Sequence, residues 1–404
     1  MPTRDHVLEV PLDHDRPDGP TISVYAREVA EHGGEDRPYL VFLQGGPGSE
    51  SPRPNAFEQP AWIARALRDF RLLLLDQRGT GRSTPVGSYE QVPGGDVHAK
   101  AAYLTHFRAD AIVRDCELLR EHLGVEQWSL LGQSFGGFTA TTYLSLAAES
   151  LAAVHITGGL PGIGFTTEEI YAQTYVTMQA KCERFYRRFP GDRDRLRAAL
   201  DLAGAGELRL PSGDVLTPRL LRSIGGALGM DGGEERLHHL LELDPTSPAF
   251  SHDVAAQLPF GARNPIYTFL HESCCADGQA TRWAAHQVRP AAYDEDETLL
   301  SGEHIAPWHF EDCPDLRQYA ELAEVLAAHE WPRLYDEQAL RQADVPVAAC
   351  VYYDDAFVDR EMSLRTAALL PRVDTWITNE HEHSGLRTSG ERVLDRLIGL
   401  AREV

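Results

Sequence analysis

At 404 residues the chain is longer than the roughly 100–200 residues of a typical single core, so two structural units, or one domain carrying a large insertion, are expected. Its 61 acidic side chains against 38 lysines and arginines give a formal charge of -23, which repels nucleic-acid phosphates and anionic membrane surfaces and leaves neutral or cationic small partners. The opening MPTRDHVLEV lacks the apolar core of a secretory signal and no stretch nears the roughly 20 apolar residues of a membrane span, so no membrane partner and a cytoplasmic location are expected.

In chain order, β-rich runs fall at TISVYARE (21–28), YLVFL (39–43), RLLLL (71–75), WSLL (128–131) and AVHIT (153–157). Several are apolar throughout, as strands buried on both faces must be. Helical segments separate them at 55–69, 106–123 and 135–148. The alternation stops near 160, and helix then follows helix, broken by Gly- and Pro-rich turns such as GLPGIGF (159–165). Strands resume at VAACVYY (347–353) and TWIT (375–378), and a last helix covers 390–402. The pattern predicts an α/β fold with a mostly parallel sheet flanked by helices, its core formed by 1–160 and 339–404 and a mainly helical cap formed by 161–338. The six cysteines, Cys116, Cys182, Cys274, Cys275, Cys313 and Cys350, contain no C-x-x-C pair and read as reduced structural thiols.

One stretch carries chemistry. LLGQSFGGFTA (130–140) sets Ser134 between a strand and a helix with Gly132 and Gly136 beside it, the context of a nucleophile elbow. Read alone, the same serine could be a helix N-cap. A nucleophile needs donors for the oxyanion formed on attack, and the N–H of Phe135 is one by position. The loop LQGGPGSESPRP (43–54) offers Gly45 and Gly46 as the other; without a following G-K-[ST] it does not read as a phosphate cradle. The expected order of nucleophile, acid and base is met by Asp354, Asp355 and Asp359 after one late strand, and by His381 and His383 after the last. The H-x-H spacing has no HExxH or Cys/His cluster to accompany it, so no metal is expected.

Together these stretches resemble the prolyl aminopeptidase (proline iminopeptidase) family of α/β-hydrolases, in particular its larger bacterial branch. The resemblance rests on LQGGPGSESPRP, DQRGTGRSTP (76–85), GQSFGG (132–137), HESCCADG (271–278), SGEHIAPWHFE (301–311), WPRLYD (331–336), VYYDDAFVD (351–359) and NEHEHSGLR (379–387). It departs from smaller members in having Gln44 before the glycines and Asp359 where they have proline. The resemblance implies an α/β-hydrolase fold, Ser134 as nucleophile, Asp355 as acid, His383 as base, and Glu272 and Glu303 as the carboxylates that bind the substrate's free amine, with Glu311 in reserve. It also implies release of N-terminal proline from small peptides without a cofactor. Trp283, Trp308 and Phe310 are candidates for a slot around the pyrrolidine ring, or ordinary cap packing. A broader aminopeptidase, esterase or amidase is the alternative within hydrolases, and a non-catalytic binding protein of the same fold is the alternative outside them.

Overall fold

The computed structural model describes residues 2–55 and 59–404. Eight strands form one sheet in the order β1-β2-β4-β3-β5-β6-β7-β8. They are β1 (Thr3–Pro11), β2 (Thr21–Val29), β3 (Tyr39–Leu43), β4 (Arg71–Asp76), β5 (Trp128–Gln133), β6 (Leu151–Thr157), β7 (Val347–Tyr352) and β8 (Val373–Thr378). β1 and β2 run antiparallel, and every pairing from β4 onward is parallel. β1 was not anticipated: seven of its nine residues are exposed or half-buried, with only His6 and Val10 turned inward, so it lacks the apolar run of strands such as β3, β4 and β7.

The apolar strands divide their side chains between two cores. Val41, Leu43, Leu73 and Leu75 face the helices Ala109–His122 and Phe135–Leu146, while Leu40, Phe42, Leu72 and Leu74 face Ala61–Asp69 and Arg392–Glu403. Helices on both faces explain why these runs show no polar alternation. The helix expected at 55–69 begins at Ala61; residues 56–58 lie outside the described residues.

Among the described residues no strand joins the sheet between β6 and β7. The chain between them is helical, led by Thr167–Arg188, which starts with a capping box between Thr166 and Glu169. It packs its own core, including Phe185, Leu221, Leu237, Phe250 and Leu322. This segment leaves the sheet at the C-terminal end of β6 and returns at β7, so it lies over the strand ends where parallel α/β sheets place their ligands.

Candidate active site

The chain turns from β5 into the helix Phe135–Leu146 through Ser134, which has φ 55° and ψ -124°. A non-glycine residue with positive φ is costly, and such strain gathers where a side chain must be aimed. Its neighbours permit the turn only as glycines. A Cβ on Gly136 would sit 1.9 Å from the Leu43 carbonyl oxygen, and one on Gly132 would sit 2.4 Å from that of Gly136. The Ser134 N–H donates to the Thr157 carbonyl at 3.0 Å, tying the turn to the end of β6.

Asp355 and His383 meet directly. The His383 Nδ1–H donates to Asp355 Oδ2 at 2.8 Å, and Asp355 Oδ1 accepts from the amides of Phe357 at 2.9 Å and Val358 at 3.1 Å. With Nδ1 carrying the proton, Nε2 is left as the acceptor, the form a general base requires. Both side chains are at least 95% buried. Burial alone lowers the His383 pKa, but the charge and hydrogen bond of Asp355 outweigh it and raise the imidazole above its usual 6.5. The neighbours have other partners: Asp354 is mostly exposed and 4.0 Å from Arg184, Asp359 caps the helix Arg360–Ala367 through the Met362 amide, and His381 lies 3.7 Å from Asp231. Gly158 connects the pair to the elbow, since it follows Thr157 and its Cα faces His383 Nδ1 closely enough that a Cβ would lie 3.1 Å away.

The G-G-P-G loop is held beside Ser134. Gly46 and Phe135 line the same cavity as the serine. As first residue of its helix, Phe135 has no intrahelical acceptor for its N–H. The Gly45 amide already donates to Gln44 Oε1 at 3.2 Å, which leaves Gly46 as the better-placed donor of the two. The DQRGTGRS stretch is the strut beneath. Fully buried Asp76 accepts from the Ser51 amide at 3.1 Å, the Arg82 amide at 2.8 Å and Arg53 at 3.0 Å, while Arg78 forms a two-pronged pair with Asp115.

From the helical segment, Glu303 enters this cavity and Glu272 does not. Glu303 accepts a hydrogen bond from the Tyr267 hydroxyl and lies 3.9 Å from His271 Nε2. Glu272 is buried behind the wall, where its carboxylate accepts from the amides of Ala284 at 3.2 Å and Ala285 at 2.9 Å. It thereby holds the turn at Arg282 and Trp283, whose φ values are 48° and 60°. Burial pushes its carboxyl up to about 7 despite those amides. Glu311 pairs with Arg219 at the surface.

Trp283, Trp308 and Phe310, offered by the sequence either as a pyrrolidine slot or as ordinary packing, do not line the Ser134 cavity. Trp308 stacks on His309 and Trp283 meets Phe310 edge-on, all within the helical segment. The apolar wall beside Ser134 is made instead by Phe138, Ile170 and Phe357. These, with Tyr171, His271 and His304, escaped sequence reasoning because nothing local marks a helix or loop residue as facing a distant serine.

An alpha/beta hydrolase fold family model matches residues 38–203. A proline iminopeptidase from Aeromonas sobria is 43% identical over 98% of this chain and 96% of its own length. Another, from Aspergillus aculeatus, is 30% identical over 99% of this chain and 94% of its own. This chain belongs to the proline iminopeptidase family. A proline iminopeptidase from Xanthomonas citri matches at 37% identity over only 29% of each chain. Likeness within the proline iminopeptidase family is thus continuous through the helical segment for some members and confined to a short stretch for others. The family membership makes the protein a hydrolase of the α/β-hydrolase fold.

Proposed function

We propose that the protein is a serine aminopeptidase that releases N-terminal proline from small peptides in the cytoplasm, with residues 161–338 acting as the cap that recognises the free amine. The observation that carries this reading is the meeting, in one cavity, of Ser134 from the sheet and Glu303 from the helical segment, beside the buried Asp355–His383 pair. The full-length likeness to proline iminopeptidases supports the substrate class. Six unpaired thiols fit a reducing compartment.

In this mechanism His383 Nε2 takes the Ser134 proton as Oγ bonds to the carbonyl carbon of the first residue. The oxyanion is held by the amides of Phe135 and Gly46. His383 then gives the proton to the departing peptide nitrogen, the C–N bond breaks, and a prolyl ester remains on Ser134. Water, deprotonated by His383, cleaves that ester and restores the serine. Asp355 fixes the imidazole and stabilises its charged form. Glu303 pairs with the cationic secondary amine, and Phe138, Ile170 and Phe357 enclose the ring. No step calls for a cofactor.

The test compares prolyl and alanyl arylamides with wild type and Ser134→Ala. Preference for proline above about tenfold, ~1.4 kcal/mol, and a fall in kcat on the order of 10⁴-fold in the variant are expected. Equal cleavage of the alanyl compound would assign a broader aminopeptidase, and an active Ser134→Ala would remove the serine from the chemistry.

A further inference from the structure

In a chain with 61 acidic and 38 Lys and Arg side chains, a cavity lined by arginines and by no carboxylate runs against composition. The helical segment contains one, of about 220 Å³, lined by Arg219, Arg222, Arg289 and His286 together with Tyr293, Trp308 and other rings. Arg222 donates to the carbonyls of Leu299 at 2.8 Å and Tyr293 at 2.9 Å and has no carboxylate partner among the described residues. Arg289 donates to the same Tyr293 carbonyl at 2.9 Å, its other arm reaching Asp294 at 2.6 Å. Both guanidinium groups lie 5.5 Å from the Tyr293 ring centre. Two cations thus share one carbonyl and one ring, and the nearest carboxylates, Asp294 on Arg289 and Asp296 beyond it, stand outside the cavity lining and relieve the repulsion between the cations only in part. Burial, and then the charge of Arg289, hold the Arg222 pKa below its usual value. Arg219, nearly half exposed and 5.2 Å from the Trp308 ring, is already paired with Asp312 at 2.7 Å and Glu311 at 2.8 Å, and stands with exposed His286 toward the solvent side.

We propose that this cavity is a binding site for a small oxyanion, a carboxylate or a phosphate, gripped by Arg222 and Arg289 and admitted past Arg219 and His286. An oxyanion placed there accepts charge-assisted bonds from both guanidinium groups and cancels their repulsion. The site is separate from the Ser134 cavity but shares a wall with it. His304 lines both, stacked 3.7 Å from Tyr175 and pinned by Thr174 at 3.0 Å and by the Gly302 amide at 3.1 Å.

Calorimetric titration of the full chain at low ionic strength, with inorganic phosphate and separately with benzoate, tests this. Saturable binding of at least one probe is expected, weakened at least tenfold in Arg289→Gln and unchanged in Glu303→Gln. Arg289 is partly exposed, so its variant should keep the wild-type melting temperature; Arg219→Gln, which should weaken binding less, is the second variant. Phosphate alone, benzoate alone, or both would name the source of the anion. No saturable binding of either probe, binding indifferent to Arg289→Gln, or binding strengthened in Glu303→Gln would overturn the proposal, the last because relief of the Glu303 carboxylate's repulsion would put the anion in the substrate cavity. None of these readouts depends on peptidase activity, so the site and the proposed reaction can fail separately.

Discussion

The two halves of the candidate site are built by different means. On the sheet side, Ser134 is aimed by a few residues adjacent in sequence: a strand, a strained turn and glycines without room for a Cβ. On the helical side, Glu303 is aimed by residues far from it, with Tyr267 holding the carboxylate from 36 positions away. The first half is a backbone device and tolerates almost no substitution at its glycines. The second is a side-chain device, and the same carboxylate could be redirected by one altered partner. On the proposed function, chemistry would be fixed by the sheet side and selection of substrate open to change on the helical side.

The sharpest way to break that division is to attack the core pair. Asp355→Asn should lower kcat on the order of 10⁴-fold, because an amide leaves the wrong His383 tautomer, while KM changes little. A comparable rise in KM instead would mean that Asp355 shapes the substrate pocket.

A next test is where the halves are clasped together. Lys181, 2% exposed on the long helix Thr167–Arg188, pairs with Glu382, which also takes Arg184 at 2.6 Å, and the Glu382 amide donates to Asp231 at 2.8 Å. Glu382 directly precedes His383, whose own amide donates to the Gly229 carbonyl at 3.0 Å. The helical segment therefore holds the histidine loop. Lys181→Met leaves Glu382 with Arg184 as its remaining cation and should cost about 1–2 kcal/mol of stability, read by denaturant unfolding, with a fall in kcat. Destabilisation with kcat unchanged would show that the clasp does not position the base.

The smallest expected effect is in pH. His383 must be neutral to act as base, and its pKa lies above 6.5, so kcat/KM should rise with pH through a midpoint above that value. In Asp355→Asn burial and the charge of Arg387 are left to lower the imidazole against the charge of Glu303 alone, and the residual activity should show a midpoint below that of wild type. The same pairing favours the protonated folded state, so its contribution to stability is fully present below pH 6.5 and is lost as pH rises through the folded-state pKa. A wild-type midpoint below 6.5 would contradict the pairing.

What was legible in the sequence follows the same division. Strands such as β3, β4 and β7 announced themselves because burial on both faces demands continuous apolar runs; β1, with no such run, did not. The elbow and the order Ser134, Asp355, His383 could be read because each sits at a strand end. Choosing Asp355 over Asp354 needed the family resemblance, and the structure separates them by burial and by the His383 bond. In the helical segment, motif likeness put Glu272 and Glu303 on an equal footing, yet one enters the cavity and the other supports the Arg282–Trp283 turn. Local sequence contains no record of which wall a cap residue faces. For the same reason the sequence left Trp283, Trp308 and Phe310 between a substrate slot and ordinary packing; in the structure Trp283 packs on Phe310 and Trp308 on His309.

The most direct measurement compares cleavage of a free prolyl arylamide with that of its N-acylated form by wild type and by Glu303→Gln. Wild type should favour the free amine by roughly 100-fold in kcat/KM, about 2.7 kcal/mol, and Glu303→Gln should bring that ratio down by tenfold or more, through KM for the free amine alone. A ratio unchanged in Glu303→Gln would contradict the account, because the cap carboxylate would then have no part in reading the substrate's amine.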